Sequence, residues 1–153
     1  MYNIDDIIQH IRSFGYMEGI NRTKERTKEF GEVFTHQHLA VDAVNRLEQH
    51  DPTLFTDTDK LIIDPACGDG MLLGEVLVRR LERGCDYHKS VLTLRGLDIH
   101  EDNIIRCRKR LCWKDSYLLK EMEKYLIIGD GLTNTYSFDK PVVFGNGLFE
   151  VAE

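Results

Sequence analysis

One stretch near the middle of the chain, residues 61–73, restricts the possible folds more than any other. It reads Leu-Ile-Ile-Asp-Pro-Ala-Cys-Gly-Asp-Gly-Met-Leu-Leu. Three apolar residues followed by an acid are typical of the end of a parallel strand. Gly68 and Gly70 then allow a sharp turn and a close approach of the backbone to a ligand, where a Cβ would clash. The pattern therefore predicts a strand, a ligand-binding loop and the start of a helix.

The charges of this loop indicate the class of its ligand. A dinucleotide loop would read Gly-x-Gly-x-x-Gly, and a nucleoside-triphosphate loop would end in Gly-Lys-Ser/Thr. This loop has neither the third glycine nor the lysine, and it carries acids instead. Asp64 and Asp69 would repel phosphates but would attract an ammonium or sulfonium group. We therefore expect a cationic ligand.

Two further segments repeat the pattern of a strand that ends in an acid. Residues 91–99 contain an apolar run that leads to Asp98, and residues 125–132 contain another that leads to Asp130. Because ligands of open α/β sheets bind at the carboxyl ends of the strands, these acids and Asp64 would face one site. An acid after the second strand can accept both ribose hydroxyls of a nucleoside. Asp130 follows the third strand in the corresponding position.

Apolar residues at helical spacing predict four helices around these strands. The first two cover residues 4–18 and residues 35 to about 50, with Thr35 as the N-cap of the second. The third covers residues 71–81, and arginines at its end complement the helix dipole. The fourth, residues 101 to about 117, is the most basic surface, which either faces nucleic acid or a partner's acids or is a solvated face. The basic residues of these two helices are Arg79, Arg80, Arg83, Arg106, Arg108, Lys109, Arg110 and Lys114.

The loop sequence Asp-Pro-Ala-Cys-Gly-x-Gly at residues 64–70 resembles the S-adenosylmethionine loop of DNA adenine-N6 methyltransferases. The earlier Gly-Glu-x-Phe-Thr at residues 31–35 is similar to the family's Gly-Glu-x-Phe/Tyr-Thr-Pro, although His36 stands where proline is usual. Gly-x-Asp-Ile at residues 96–99 and Gly-Asp-Gly-Leu at residues 129–132 resemble the family's ribose and adenine corners.

This resemblance implies an α/β fold with a Rossmann-like class I methyltransferase sheet and S-adenosylmethionine as the cofactor. The methyltransferase-like domain would cover residues 28–153 and follow an N-terminal helical segment at residues 1–27. Its sheet would be incomplete at the C-terminus, because the sequence ends soon after the fourth strand. The implied cofactor-binding residues are Thr35, Asp64, Ala66, Cys67, Gly68, Gly70, Asp98, Ile99, Asp130 and Leu132.

The resemblance also places the chemistry, in the run Asn-Gly-Leu-Phe at residues 146–149 after a predicted fourth strand. Adenine methyltransferases carry Asn/Asp-Pro-Pro-Tyr/Phe there. Asn146 would accept a hydrogen bond from the target amine, and Phe149 would stack on the flipped base. Both prolines are replaced, and Gly147 adds backbone freedom where the prolines would aim an acceptor carbonyl.

Composition limits the partners and the compartment. The chain of 153 residues has a net charge of −6, so we expect DNA contact to be weak or to come through a partner chain. Four cysteines without a Cys-x-x-Cys pair indicate neither a zinc site nor a disulfide framework. His36 and His38 lack an acidic or cysteine partner at ligand spacing, so no metal is expected. No membrane segment or leader is evident, which favours a cytoplasmic protein.

Three functions follow from these patterns. The first is a DNA adenine-N6 methyltransferase of the restriction-modification type, or its cofactor-binding portion. The second is a catalytically inactive relative that binds the cofactor or pairs with a complete methyltransferase or a specificity subunit. The third is a regulator that binds another adenosine ligand on the same sheet. The altered run at residues 146–149 favours the second function for the isolated chain.

Overall fold

A computed structural model describes residues 2–14 and 35–133, together with the backbone of residues 142–145 and 148–151. The structure is of the α/β class, as predicted. Its main sheet has three parallel strands in the order β1-β2-β3. These strands are β1 (Ile62–Asp64), β2 (Leu94–Asp98) and β3 (Leu126–Ile128).

Helices connect and cover these strands. None of the described helices combines the length and the apolar character that a bilayer crossing requires. The six α-helices and two short 3₁₀ helices of the described residues are α1 (Ile4–Ser13), α2 (Gln37–His50), the 3₁₀ helix Pro52–Phe55, α3 (Met71–Glu82), α4 (Tyr87–Leu92), α5 (Glu101–Cys112), α6 (Ser116–Glu121) and the 3₁₀ helix Met122–Lys124.

The hydrophobic core lies between the sheet and the helices that pack on it. Its centre is α3, where Leu77 is fully buried and belongs to one cluster with residues of the sheet and of α5, including Leu94 and Leu111. Ile7 and Ile11 of α1 belong to the same cluster, with exposed fractions of 0% and 2%. The N-terminal helix therefore contributes to the core of the sheet domain. Its last helical residue is Ser13, and residues 15–27 lie outside the described residues.

Arg80 lies in the last turn of α3, as predicted, but its side chain is buried in the core. Its exposed fraction is 0%, and its guanidinium donates hydrogen bonds to backbone carbonyl oxygens. These acceptors belong to Leu54, Lys60 and Ser90, at 2.9, 2.8 and 3.2 Å. Burial lowers the pKa of Arg80. The side chain holds together the segments on either side of α3.

The two neighbouring arginines lie at the end of α3, Arg79 in its last turn and Arg83 at its C-cap, and they also link α3 to another helix. Arg79 and Arg83 both pair with Glu48 of α2, at 2.8 and 2.6 Å. The pKa of the Glu48 carboxyl is lowered, first by the hydrogen bond from Arg83 and also by the charges of both arginines, while burial opposes this change. Since the three groups lie near the surface, this network contributes little stability per pair. It fixes α2 against α3.

Two predicted element boundaries were wrong. The second strand begins at Leu94 rather than near residue 91, because the preceding apolar residues lie in α4. Asp86 begins that helix by accepting a hydrogen bond from the amide of Lys89 at 2.9 Å. The predicted helix over residues 101–117 is two helices, since Trp113 has a φ of +50° and ends α5. Asp115 then caps α6 through the amide of Leu118, at 3.0 Å.

The last two strands also differ from the prediction. The predicted fourth strand is present as β4 (Val142–Gly145), but in place of an exit loop a further strand, β5 (Leu148–Val151), pairs with it in an antiparallel sheet of their own. Gly145 lies opposite Leu148 and Phe144 lies opposite Phe149. Only Asn146 and Gly147 separate the two strands in the sequence.

Candidate functional site

The three strand-end aspartates make the same local turn at the carboxyl edge of the main sheet. In each, carboxylate oxygen Oδ1 accepts a hydrogen bond from the backbone amide two residues later. The pairs are Asp64 with Ala66 at 3.0 Å, Asp98 with His100 at 2.8 Å, and Asp130 with Leu132 at 2.9 Å. Oδ2 of each aspartate accepts no hydrogen bond from any described residue. Three carboxylates are thus oriented, each with one oxygen that is not used in a hydrogen bond to a described residue.

The strand register spaces these acids along the edge. Asp64 lies opposite Gly96, which is two residues before Asp98. Asp98 in turn lies opposite Ile128, which is two residues before Asp130. One strand spacing of about 4.8 Å and two residues of about 3.3 Å each separate the Cα atoms of Asp64 and Asp98 by roughly 8 Å. A row of acids with this spacing suits an extended ligand with several polar groups better than a single ion.

The three loops of the edge are packed against one another. The amide of Cys67 donates to the carbonyl oxygen of Leu97 at 2.8 Å, which ties the glycine loop to β2. The amide of Gly129 donates to the carbonyl oxygen of Asp98 at 3.0 Å, which ties the third loop to β2. A Cβ on Gly131 would lie 2.6 Å from the carbonyl oxygen of Pro65. The first and third loops therefore touch through a position that only glycine can occupy.

The glycines of the first loop have backbone conformations that favour glycine. Gly68 has a φ of +54°, and Gly70 has a φ of +89° at the residue that precedes α3. A Cβ on Gly70 would lie 2.8 Å from Sγ of Cys107 in α5. Gly70 is therefore required for packing of the loop on α5. This requirement could not be read from the sequence pattern of the loop.

Burial changes the proton affinity of two loop residues. Burial, with a smaller contribution from the charge of Asp98, raises the pKa of Asp64. A hydrogen bond with Cys107, together with burial, raises the pKa of the Cys67 thiol well above its usual value. Cys67 is thus a neutral thiol at neutral pH and is unsuited to act as a nucleophile. Asp64 gains from a cationic group at the edge, since such a group would favour its ionised form.

Asp69 does not face a ligand, which corrects the expectation that it attracts the cation together with Asp64. Its exposed fraction is 1%, and its carboxylate pairs with the buried guanidinium of Arg110 at 3.1 Å. Arg110 is 0% exposed, so it also does not belong to the basic surface predicted for α5. Nothing in the sequence marks either residue as buried, because each reads as an ordinary charged position on a loop or a helix.

Apolar side chains border the row of acids. Ile99 and Leu132, both predicted site residues, follow Asp98 and Asp130 and have exposed fractions of 41% and 93%. Ile128 of β3, in the apolar run of the third predicted strand, is 55% exposed as well. Exposed apolar groups next to oriented acids match the two faces and the polar edge of a nucleoside base.

The remaining predicted residues are not brought to this edge by the described contacts. Thr35 is exposed and is not the N-cap of α2, because His36 occupies that position without a side-chain capping bond. The rings of His36 and His38 stack with centroids 5.7 Å apart beside a shallow surface groove. Residues 28–34 and Asn146 lie outside the described residues. Phe149 lies in β5, opposite Phe144.

The described residues contain no group of three or more His, Cys, Asp or Glu side chains that could hold a metal ion. Comparison of the chain with protein-family models, curated proteins and solved structures gives no match. Inference about function therefore depends on the sequence motifs and on the geometry of the strand edge.

Proposed function

We propose that the carboxyl edge of the sheet binds S-adenosylmethionine, and that the chain is the cofactor-binding portion of a DNA adenine-N6 methyltransferase with a Rossmann-like class I sheet. The observation that supports this most is the row of aspartates Asp64, Asp98 and Asp130, each oriented by a hydrogen bond from a backbone amide to its Oδ1. The sequence of residues 64–70 adds the resemblance to the family's cofactor loop.

Each part of the edge would hold a different part of the cofactor. Asp98 is fixed by the amide of His100 and by the side-chain amide of Asn103 at 3.1 Å, so its Oδ2 is positioned to accept ribose hydroxyls. Asp130 would accept the adenine amine, and Leu132 would cover the ring. Asp64 would oppose the positive charge of the methionine end. When bound, the cofactor supplies a methyl group activated by a sulfonium centre.

In a catalytic chain, residues near the last two strands would orient the target base. Asn146 would accept a hydrogen bond from the adenine amine and so raise its nucleophilicity, and Phe149 would stack on the flipped base. The net charge of −6 argues that DNA contact is weak or is made through a partner chain.

The pairing of β4 with β5 favours a second candidate, an inactive methyltransferase-like protein that binds the cofactor or pairs with a complete methyltransferase or a specificity subunit. Gly145 lies opposite Leu148, and the residues between them in the sequence are Asn146 and Gly147. Asn-Gly between apolar strands is the strongest short hairpin signal in a sequence. A short connection between the paired strands is thus an alternative reason for Asn146 and Gly147, in place of a catalytic one.

Calorimetric titration with S-adenosylhomocysteine up to millimolar concentration tests the proposal. We expect binding by the wild-type chain, weakened by about 1.5–3 kcal/mol in Asp98→Ala because a charged acceptor is lost. Asp6→Ala, which removes an exposed acid of α1, is the matched control and should bind as the wild type does. No binding by a folded wild-type chain would refute the proposal.

Transfer of tritium from labelled cofactor to unmethylated DNA separates the two candidates. Robust turnover that falls in Phe149→Ala would support the catalytic chain, since stacking on an aromatic ring is worth about 1–3 kcal/mol per base. Cofactor binding without turnover would support the inactive relative. Turnover that appears only when a second polypeptide is added would identify one part of a divided enzyme.

A further inference from the structure

Arg110 of α5 is a fully buried cation that contacts the glycine loop through two different groups. Its Nε donates to the backbone carbonyl oxygen of Asp69 at 3.0 Å, and its Nη2 donates to Oδ2 of the same residue at 3.1 Å. Both the peptide and the side chain of one loop residue are therefore held by a single planar guanidinium, whose donors have a fixed mutual geometry.

The same guanidinium also fixes the N-terminal helix. Its Nη1 donates to the carbonyl oxygen of Ile11 at 2.9 Å, near the C-terminal end of α1. Gly74 of α3 makes room for this arrangement, because a Cβ there would lie 2.9 Å from Cγ2 of Ile11 and 3.1 Å from Cδ of Arg110. Arg110 thus joins three elements, namely α1, α5 and the loop that precedes α3.

The loop needs such an anchor because of its flanking glycines. Asp69 lies between Gly68 and Gly70, whose φ angles are +54° and +89°. Glycine has more accessible backbone conformations than any other residue, so two glycines around one residue leave the direction of the loop weakly determined by local sterics. Burial lowers the pKa of Arg110 while the charge of Asp69 opposes that change, as expected of a pair kept together inside the protein.

We propose that Arg110 is a positioning residue that sets the conformation of the glycine loop and thereby the affinity of the strand edge for its nucleoside ligand. The identity of the ligand rests on the proposed function, whereas the conformation of the loop is a property of the protein alone. The two parts can therefore be tested separately.

Arg80 provides a matched control. It is also an arginine with an exposed fraction of 0% that donates to backbone carbonyl oxygens, but these belong to Leu54, Lys60 and Ser90 rather than to the loop. Arg80→Met and Arg110→Met should both lower the free energy of unfolding. Only Arg110→Met should specifically loosen the loop. Arg110→Lys, which keeps the charge but offers one nitrogen in place of the fork, is a milder variant for the case that Arg110→Met does not fold.

The first measurement is hydrogen exchange of the loop amides in the protein without ligand, relative to amides in the centre of α3. We expect this ratio to rise about tenfold or more in Arg110→Met, and by a smaller factor in Arg110→Lys, because bonds to a charged donor are lost. In Arg80→Met the ratio should stay within about twofold of wild type. An unchanged ratio in both Arg110 variants would overturn the proposal.

The second measurement is the dissociation constant of S-adenosylhomocysteine for the same variants. We expect it to rise about tenfold in Arg110→Lys and to be unchanged in Arg80→Met. Equal affinities of Arg110→Lys and wild type would overturn the link between the loop and the ligand. A wild-type chain that does not bind would instead refute the proposed function, and the exchange ratios would still decide whether Arg110 positions the loop.

Discussion

Gly70→Ala should destabilise the protein far more than the loss of a loop glycine usually does. Two separate effects act at this position. The φ of +89° is unfavourable for a residue with a side chain, and the new Cβ would lie 2.8 Å from Sγ and 3.3 Å from Cα of Cys107. Cys107 is fully buried in the core, so it has little space to move away.

The loss of unfolding free energy in Gly70→Ala can be divided into a backbone part and a packing part, because Gly84 provides a control. Gly84 has a φ of +86°, and a Cβ there would have no atom within 4 Å. Gly84→Ala therefore carries only the backbone cost, about 1–2 kcal/mol. Gly70→Ala carries this cost and an overpacking cost of about 1–3 kcal/mol, for a total of about 2–5 kcal/mol. The change in unfolded-chain entropy is the same in both variants and cancels in the comparison.

Urea unfolding followed by circular dichroism measures both variants. A third comparison, Gly70→Ala in a Cys107→Ala background, tests the contact, because removal of Sγ should lower the cost of Gly70→Ala toward that of Gly84→Ala, while the 3.3 Å approach to Cα of residue 107 remains. If Gly70→Ala costs no more than Gly84→Ala in the wild-type background, the packing of the loop on α5 has been described wrongly.

Three further changes test other parts of the account. Asp64→Asn keeps the acceptor for the Ala66 amide but removes a carboxylate whose pKa is raised by burial and by Asp98. In the wild-type protein, the folded state binds the Asp64 proton more tightly than the unfolded state does. Stability of the wild type therefore falls as the pH rises above the ordinary aspartate pKa of 3.8. Thermal unfolding should therefore show a higher Tm for Asp64→Asn at pH 7 and no difference well below that value, whereas a lower Tm at neutral pH would contradict the assigned shift. Gly68→Val places a branched side chain at a φ of +54° and should abolish binding of S-adenosylhomocysteine in equilibrium dialysis while circular dichroism shows a folded chain; undiminished binding would mean that the loop is misassigned. Gly74→Ala should lower the free energy of unfolding by about 1–2 kcal/mol, since overpacking against α1 and α5 exceeds the gain of about 0.5–1 kcal/mol from a better helix former. If urea unfolding showed Gly74→Ala to be more stable than wild type, α1 would have to move aside to make room for the added methyl group.

Much of the sheet could be predicted from the sequence. Three parallel strands were placed correctly from apolar runs, two of which end in Asp64 and Asp98 and one of which precedes Asp130. An apolar run and the acid that follows it are local features of the sequence. The boundaries were less well predicted, because an apolar run does not by itself separate a strand from a buried helix. Residues 91 and 92 continue α4, and the capping residue Asp86 was the signal that the apolar run concealed.

The features that the sequence could not supply depend on tertiary contacts. Arg80 and Arg110 are buried because carbonyl oxygens from distant segments surround them, and no local pattern records that environment. The partnership of Asp69 with Arg110 spans 41 positions in the sequence. By contrast, the hairpin of β4 and β5 did have a local signal, the Asn-Gly pair at residues 146 and 147, which the resemblance to a catalytic motif obscured.

The most direct test of ligand binding at the strand edge is to follow backbone amide chemical shifts by NMR while S-adenosylhomocysteine is added. The amides of Ala66, His100 and Leu132 each donate to one of the three strand-end carboxylates, so they report on all three acids at once. The account predicts that these three signals shift together with a single dissociation constant, while amides at the centre of α1 do not. No shift at millimolar ligand, or shifts confined to another surface, would contradict it.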